Sequence, residues 1–119
     1  MDDLLEERDG IYYKLGTNEL YTGIYETLWE SGAVKAVFKV KDGKFHGEGN
    51  IYWDNGQLSQ TFYFNDGIAN GPNIGYWKDG TLWFKNYLKN NEFDGVCERY
   101  DEDGSLIEKV HFKEGKKLN

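Results

Sequence analysis

Residues 47–70 read GEGNIYWDNGQLSQTFYFNDGIAN, and this stretch decides the fold. Two β-rich runs, Asn50–Trp53 and Leu58–Phe64, flank Asp54-Asn55-Gly56-Gln57. Asn-Gly between such runs is the strongest short-range hairpin signal, because a type I′ turn needs positive φ at both central residues. A second signal, Asn65-Asp66-Gly67, opens a longer connection that ends at Asn70-Gly71. The stretch therefore reads as strand, tight turn, strand, longer turn. A two-residue loop at Asn55-Gly56 predicts the cross-strand pairs Trp53 with Leu58 and Tyr52 with Ser59.

The same unit recurs along the chain. Gly23, Gly47, Gly71 and Gly95 fall 24 residues apart, and Gly32, Gly56, Gly80 and Gly104 keep step with them. Gly43, Gly67 and Gly115 form a third set, whose remaining place is held by Asn91. Asn is the residue best able to replace Gly where φ is positive. The tight-turn site reads Glu30-Ser31-Gly32, Lys78-Asp79-Gly80 and Glu102-Asp103-Gly104 in the other copies. A fixed period of this length is the signature of a repeat architecture. It predicts an all-β fold, a single-domain antiparallel β-meander of 24-residue β-hairpin repeats spanning residues 1–119. The repeats fall at about residues 23–46, 47–70, 71–94 and 95–117, giving eight strands. Residues 1–22 supply an irregular unit at Gly10–Leu15 and a short helical cap at Asp2–Arg8. In repeat four, Asp101 replaces the tryptophan of the other copies and reads as a polar end cap.

Composition agrees with that reading. Nine tyrosines, seven phenylalanines, four tryptophans and 15 glycines accompany one proline, Pro72, which argues against disorder and against collagen. A chain of 119 residues is long enough to bury a core. Cys97 is the sole cysteine, which excludes an internal disulfide and a cysteine-based metal site, and it reads as a small apolar filler. The formal charge is −7, with acidic groups at Asp2, Asp3, Glu6, Glu7 and Asp9 and again between Glu92 and Asp103. That balance repels nucleic acid and favours a basic partner. Neither a transmembrane run nor a signal-peptide core is present in the sequence; the compartment stays open, with cytoplasm favoured and the envelope as the alternative if a leader was removed.

Strand alternation sorts the side chains onto two faces. One collects Trp53, Ile51, Leu58, Phe62 and Phe64, with Trp29, Val34, Phe38, Val40, Trp77, Leu82, Phe84, Leu88, Leu106, Val110 and Phe112 in the other copies, and is expected to be the core. The other carries Tyr52, Tyr76 and Tyr100 at the period, joined by Tyr63, Tyr87, His111 and Trp83. Rigid tyrosine and tryptophan side chains are enriched at protein interfaces. The residues expected to contact a protein partner are Tyr52, Tyr63, Tyr76, Trp83, Tyr87 and Tyr100, with Glu98, Glu102 and Glu108 as charged support.

Catalytic and metal-binding patterns are missing from the sequence. His46 and His111, the only histidines, occupy different repeat positions, His46 in a connecting turn and His111 in a strand. Neither a triad nor a metal-ligand spacing results, and the Asp-Gly pairs lack the trailing acid of an EF-hand. No cofactor is expected.

Trp53-Asp54-Asn55-Gly56-Gln57-Leu58, Trp77-Lys78-Asp79-Gly80-Thr81-Leu82 and Asp42-Gly43-Lys44-Phe45-His46-Gly47 together resemble the MORN repeat variant. The opening Glu7-Arg8-Asp9-Gly10-Ile11-Tyr12-Tyr13, followed by Tyr21-Thr22-Gly23, resembles the start of bacterial proteins named as YwqK family antitoxins. The resemblance implies a non-enzymatic binding module, an antitoxin or immunity-type inhibitor of a basic protein. The alternatives are an envelope or membrane-surface scaffold, against which the negative charge counts, and a choline- or glycan-binding repeat, against which the 24-residue period counts.

Overall fold

A computed structural model describes residues 5–118. Thirteen strands are formed by these residues: β1 (Leu5–Arg8), β2 (Ile11–Lys14), β3 (Gly23–Leu28), β4 (Val34–Lys41), β5 (Lys44–Tyr52), β6 (Leu58–Asn65), β7 (Ile68–Ala69), β8 (Gly71–Tyr76), β9 (Leu82–Lys89), β10 (Glu92–Phe93), β11 (Gly95–Tyr100), β12 (Leu106–Lys113) and β13 (Lys116–Leu118). Eight of them, β3, β4, β5, β6, β8, β9, β11 and β12, pair in chain order as an antiparallel meander. Two-residue strands β7 and β10 lead into β8 and β11. The expected helical cap is not helical where it is described: Leu5–Arg8 is a strand paired with β2, and residues 2–4 lie outside the described residues. His46 belongs to β5 rather than to a turn.

The two kinds of turn are exchanged relative to the sequence reading. Asp42-Gly43, Asp66-Gly67, Asn90-Asn91 and Glu114-Gly115 have positive φ at both residues, from 49° to 84°, and each joins directly paired strand ends. These are type I′ loops, as is Asp9-Gly10 between β1 and β2. At Asn55-Gly56 only the glycine has positive φ, and the loop is three residues long, closed by Trp53 N–H to the Gln57 carbonyl at 2.8 Å. The cause is the side chain of the residue before the glycine. Asn55 Oδ1 accepts the Gln57 N–H at 2.9 Å, as Asp79 accepts Thr81 and Asp103 accepts Ser105. Such a cap over the backbone two residues on is the ordinary Asx turn. At Asp79 the Thr81 N–H, aided by the Thr81 hydroxyl, holds the carboxyl below its usual range.

The three-residue loop also changes which residues share a face. The predicted register holds in the body of the hairpin, where Gly49 faces Phe62 and Ile51 faces Gln60, but a bulge makes Tyr52 face Leu58 instead of Ser59. Paired positions point the same way, so Leu58 joins Tyr52 on the tyrosine face, contrary to expectation. Leu82 pairs Tyr76, Leu106 pairs Tyr100 and Val34 pairs Leu28 through the same bulge.

The expected core is largely absent because the sheet is one layer thick. Its Cα extents are 49 × 35 × 17 Å and its radius of gyration is 16.3 Å, against about 13.5 Å for a compact chain of this length. No large side chain among the described residues is fully buried, and the buried apolar residues are Ala36, Val40, Ala69 and Cys97. Cohesion comes from cross-strand packing instead. Phe38 stacks on Phe45 with centroids 4.6 Å apart, Phe64 adjoins both, and Tyr12 from the β1–β2 hairpin lies over Phe45 at 5.4 Å. Phe38 covers Gly49 and Phe84 covers Gly75 so closely that an added Cβ would clash with carbons of the ring. Gly49→Ala and Gly75→Ala are therefore each predicted to lower stability by about 1–3 kcal/mol, the usual cost of overpacking, read as a drop in the urea midpoint. An unchanged midpoint would show that the rings do not lie there.

Candidate functional site

Of the nine predicted contact residues, six share one face, two lie on the opposite face and Glu102 lies in a turn. Strand register places Tyr52, Tyr76 and Tyr100 in one row of the tyrosine face, with Leu58 and Leu82 beside them. Tyr63 and Tyr87 stand further along the same face, at 40% and 42% exposure. Glu98 belongs to this face too: the Tyr100 hydroxyl donates to its Oε1 at 2.9 Å, which raises the tyrosine above its ordinary pKa. The row crossing the sheet through Val37, Asn50, Thr61 and Ile74 is half-buried or buried and joins the two tyrosine groups into one surface.

Trp83, Glu108 and Glu102 are not on that surface. Trp83 is the bulged residue of β9, so it turns to the opposite face and stacks on Trp77 with centroids 4.5 Å apart and on Trp53 at 6.4 Å. Glu108 is also on the opposite face, paired to Arg99 at 3.2 Å. Both partners of that pair are about half-exposed, so it contributes no more than about 1 kcal/mol. Glu102 lies in the turn between β11 and β12.

The opposite face holds a groove of about 360 Å³ that the sequence reading missed, walled by Trp83, Phe84, Phe93, Val110 and Phe112, with Cys97 on its floor and Arg99, Glu108 and Lys117 at its rim. It exists because the aromatic floor is interrupted between Ala69 and Asn86. Ala69 and Asn86 stand one period after Phe45 and Phe62, and Asn73 one period after Gly49. The Asn86 amide donates to Asn73 Oδ1 at 3.5 Å, and the buried Asn73 amide donates to the Thr61 carbonyl at 3.1 Å. A polar pair thus separates the Phe38–Phe45–Phe64 cluster from the Phe93–Phe112 pair. The signal in the sequence was this run of small and polar residues at positions that are aromatic elsewhere. Burial raises the Cys97 thiol above its ordinary pKa, which disfavours the reactive thiolate. Among the described residues no group of three or more His, Cys, Asp or Glu side chains is placed to hold a metal ion.

The hairpin repeat, its glycine period and its two turn types are now defined. Residues 45–66 and 93–114 match the MORN repeat variant family. The two matched MORN segments lie two periods apart, and each begins just after a type I′ turn, at Phe45 and Phe93. The intervening copy, which is unmatched, is the one carrying Ala69, Asn73, Trp83 and Asn86. MORN repeats are, as a class, non-enzymatic binding modules. No curated protein and no solved structure matches the chain significantly.

One contrast among the tryptophans that recur at the period is directly measurable. Trp29 Nε1 donates to the Tyr52 carbonyl at 3.3 Å and Trp53 Nε1 to the Tyr76 carbonyl at 2.9 Å, whereas the buried Trp77 Nε1 meets no acceptor among the described residues. Trp53→Phe is predicted to cost about 1 kcal/mol more than Trp77→Phe in equilibrium unfolding, because only the first removes a hydrogen bond. Equal losses would contradict this assignment.

Proposed function

We propose that the chain is a non-enzymatic protein-binding module that takes a basic protein on its tyrosine face, in the manner of an antitoxin or immunity-type inhibitor. The observation that carries the reading is that Tyr52, Tyr63, Tyr76, Tyr87 and Tyr100 share one face of a single-layer sheet, uncovered among the described residues. Tyrosines on a rigid sheet offer large contact area at little conformational cost. Glu98, hydrogen-bonded to Tyr100, and Glu48, opposite Tyr63, place carboxylates within the aromatic surface. With a formal charge of −7, the chain would attract a cationic partner by long-range steering, and aromatic contacts would slow its release. The antitoxin reading rests on the resemblance of the opening residues.

The test is capture from the native host followed by stopped-flow binding with the purified partner. A basic protein is expected, with an association rate that falls steeply as salt is added. The Tyr76→Ala/Tyr87→Ala variant is expected to weaken binding at least tenfold while its melting temperature stays close to the wild type. Capture of acidic proteins or lipid alone, or a variant that binds undiminished, would contradict the proposal.

A further inference from the structure

We propose that copies of this chain associate head to tail, the outer edge of β12 accepting β3 of a second copy as the next strand of its sheet. This uses the ends of the sheet and is independent of any partner on the tyrosine face. Among the described residues, nothing pairs with the outer edge of β12 from Leu106 to Val110, since β13 covers only His111–Lys113. The outer edge of β3 is likewise without a paired strand. Such edges are templates for another strand.

The period fixes what would face what. Successive repeats join through Val37 opposite Asn50, Thr61 opposite Ile74, and Lys85 opposite Glu98. One period further, Lys109 stands in β12 where Val37, Thr61 and Lys85 stand, and Glu26 is the residue of β3 that corresponds to Asn50, Ile74 and Glu98. An incoming β3 in the repeat's own register therefore sets Glu26 against Lys109, reproducing the Lys85–Glu98 pair of the preceding junction. Opposite charges directly across an antiparallel pair are favourable, and like charges are not. Glu26 and Lys109 are both exposed and hold no ion pair or side-chain hydrogen bond among the described residues.

Apolar exposure at the two ends points to the same contact. Leu106 is 49% and Leu28 is 48% exposed. Their counterparts at interior junctions, Leu58 with Tyr76 and Leu82 with Tyr100, are all half-buried. Docking in register brings Leu106 beside Leu28 of the second copy, so each covers the other. A two-fold β12-to-β12 pairing centred on the free stretch would instead set Glu108 against itself. The place of Leu20–Thr22 of the incoming copy is occupied by β13, which is exposed throughout and held by three ladder pairs. Docking displaces β13, and together with the negative charge on both copies this keeps the association weak and concentration-dependent.

Sedimentation velocity over a wide concentration range, at low salt, tests the proposal. The wild type is expected to shift from monomer to larger species as concentration rises. Lys109→Glu and Glu26→Lys should each move that shift at least tenfold higher in concentration, with circular dichroism unchanged. The double variant K109E/E26K, and an equimolar mixture of the two single variants, should restore it. A wild type that stays monomeric throughout would overturn the proposal. So would a dimer indifferent to E26K, which would mean β12 pairs with itself, or a double variant no better than the singles.

Discussion

The structure depends on a staple from each of four type I′ turns to the segment that enters the preceding hairpin. In an isolated hairpin both central N–H groups of such a turn point to water. Here the second donates to a carbonyl 22 residues earlier: Gly43 to Tyr21, Gly67 to Phe45, Asn91 to Ala69 and Gly115 to Phe93, at 2.7–3.0 Å. The first donates to a side chain 20 residues earlier: Asp42 to Thr22, Asp66 to His46, Asn90 to Asn70 and Glu114 to Asp94. Each turn is thereby fixed to the segment that leads into the preceding hairpin. Asn91 strengthens the link, since its own Oδ1 accepts the Ala69 N–H at 2.8 Å, a bond glycine cannot make.

That constraint explains how a sheet one layer thick holds its shape. Without a second layer, register cannot be set by burying one face against a core. It is set at the margins instead, by the staples along one side and by the Trp29 and Trp53 indole bonds to the next hairpin along the other. Both broad faces are then left to side-chain chemistry. One carries the tyrosines; the other carries the phenylalanine cluster, the tryptophan stack and the groove around Cys97. A scaffold of this kind presents two broad faces, in keeping with the similarity of two of its copies to MORN repeats.

The period, the eight-strand meander and the pairs in the body of each hairpin were legible because glycine and alternating apolar residues report backbone conformation directly. Asn55-Gly56 misled because its dipeptide suits a type I′ turn, yet Asn55 serves as a side-chain cap and leaves positive φ to Gly56 alone. The resulting bulge reverses Leu58 and Trp83, so the predicted contact surface keeps its five tyrosines and Glu98 but loses Trp83, while Glu108 lies on the opposite face by plain alternation with Val110 and Phe112 and Glu102 lies in a turn. No period-2 pattern reveals such a bulge, since a single extra residue inverts every assignment beyond it. The groove was hidden for another reason. Its aromatic walls close around two residues that are not aromatic, Asn86 and Cys97, and their effect emerges only when neighbouring repeats are laid side by side.

Amide hydrogen exchange at the type I′ turns tests the staple most directly. The N–H groups of Gly43, Gly67, Asn91 and Gly115 are predicted to exchange as slowly as those of the adjoining strands, although they sit at hairpin tips. Exchange at the rate of an open, solvated turn would contradict the staple and with it this account of how the sheet is held.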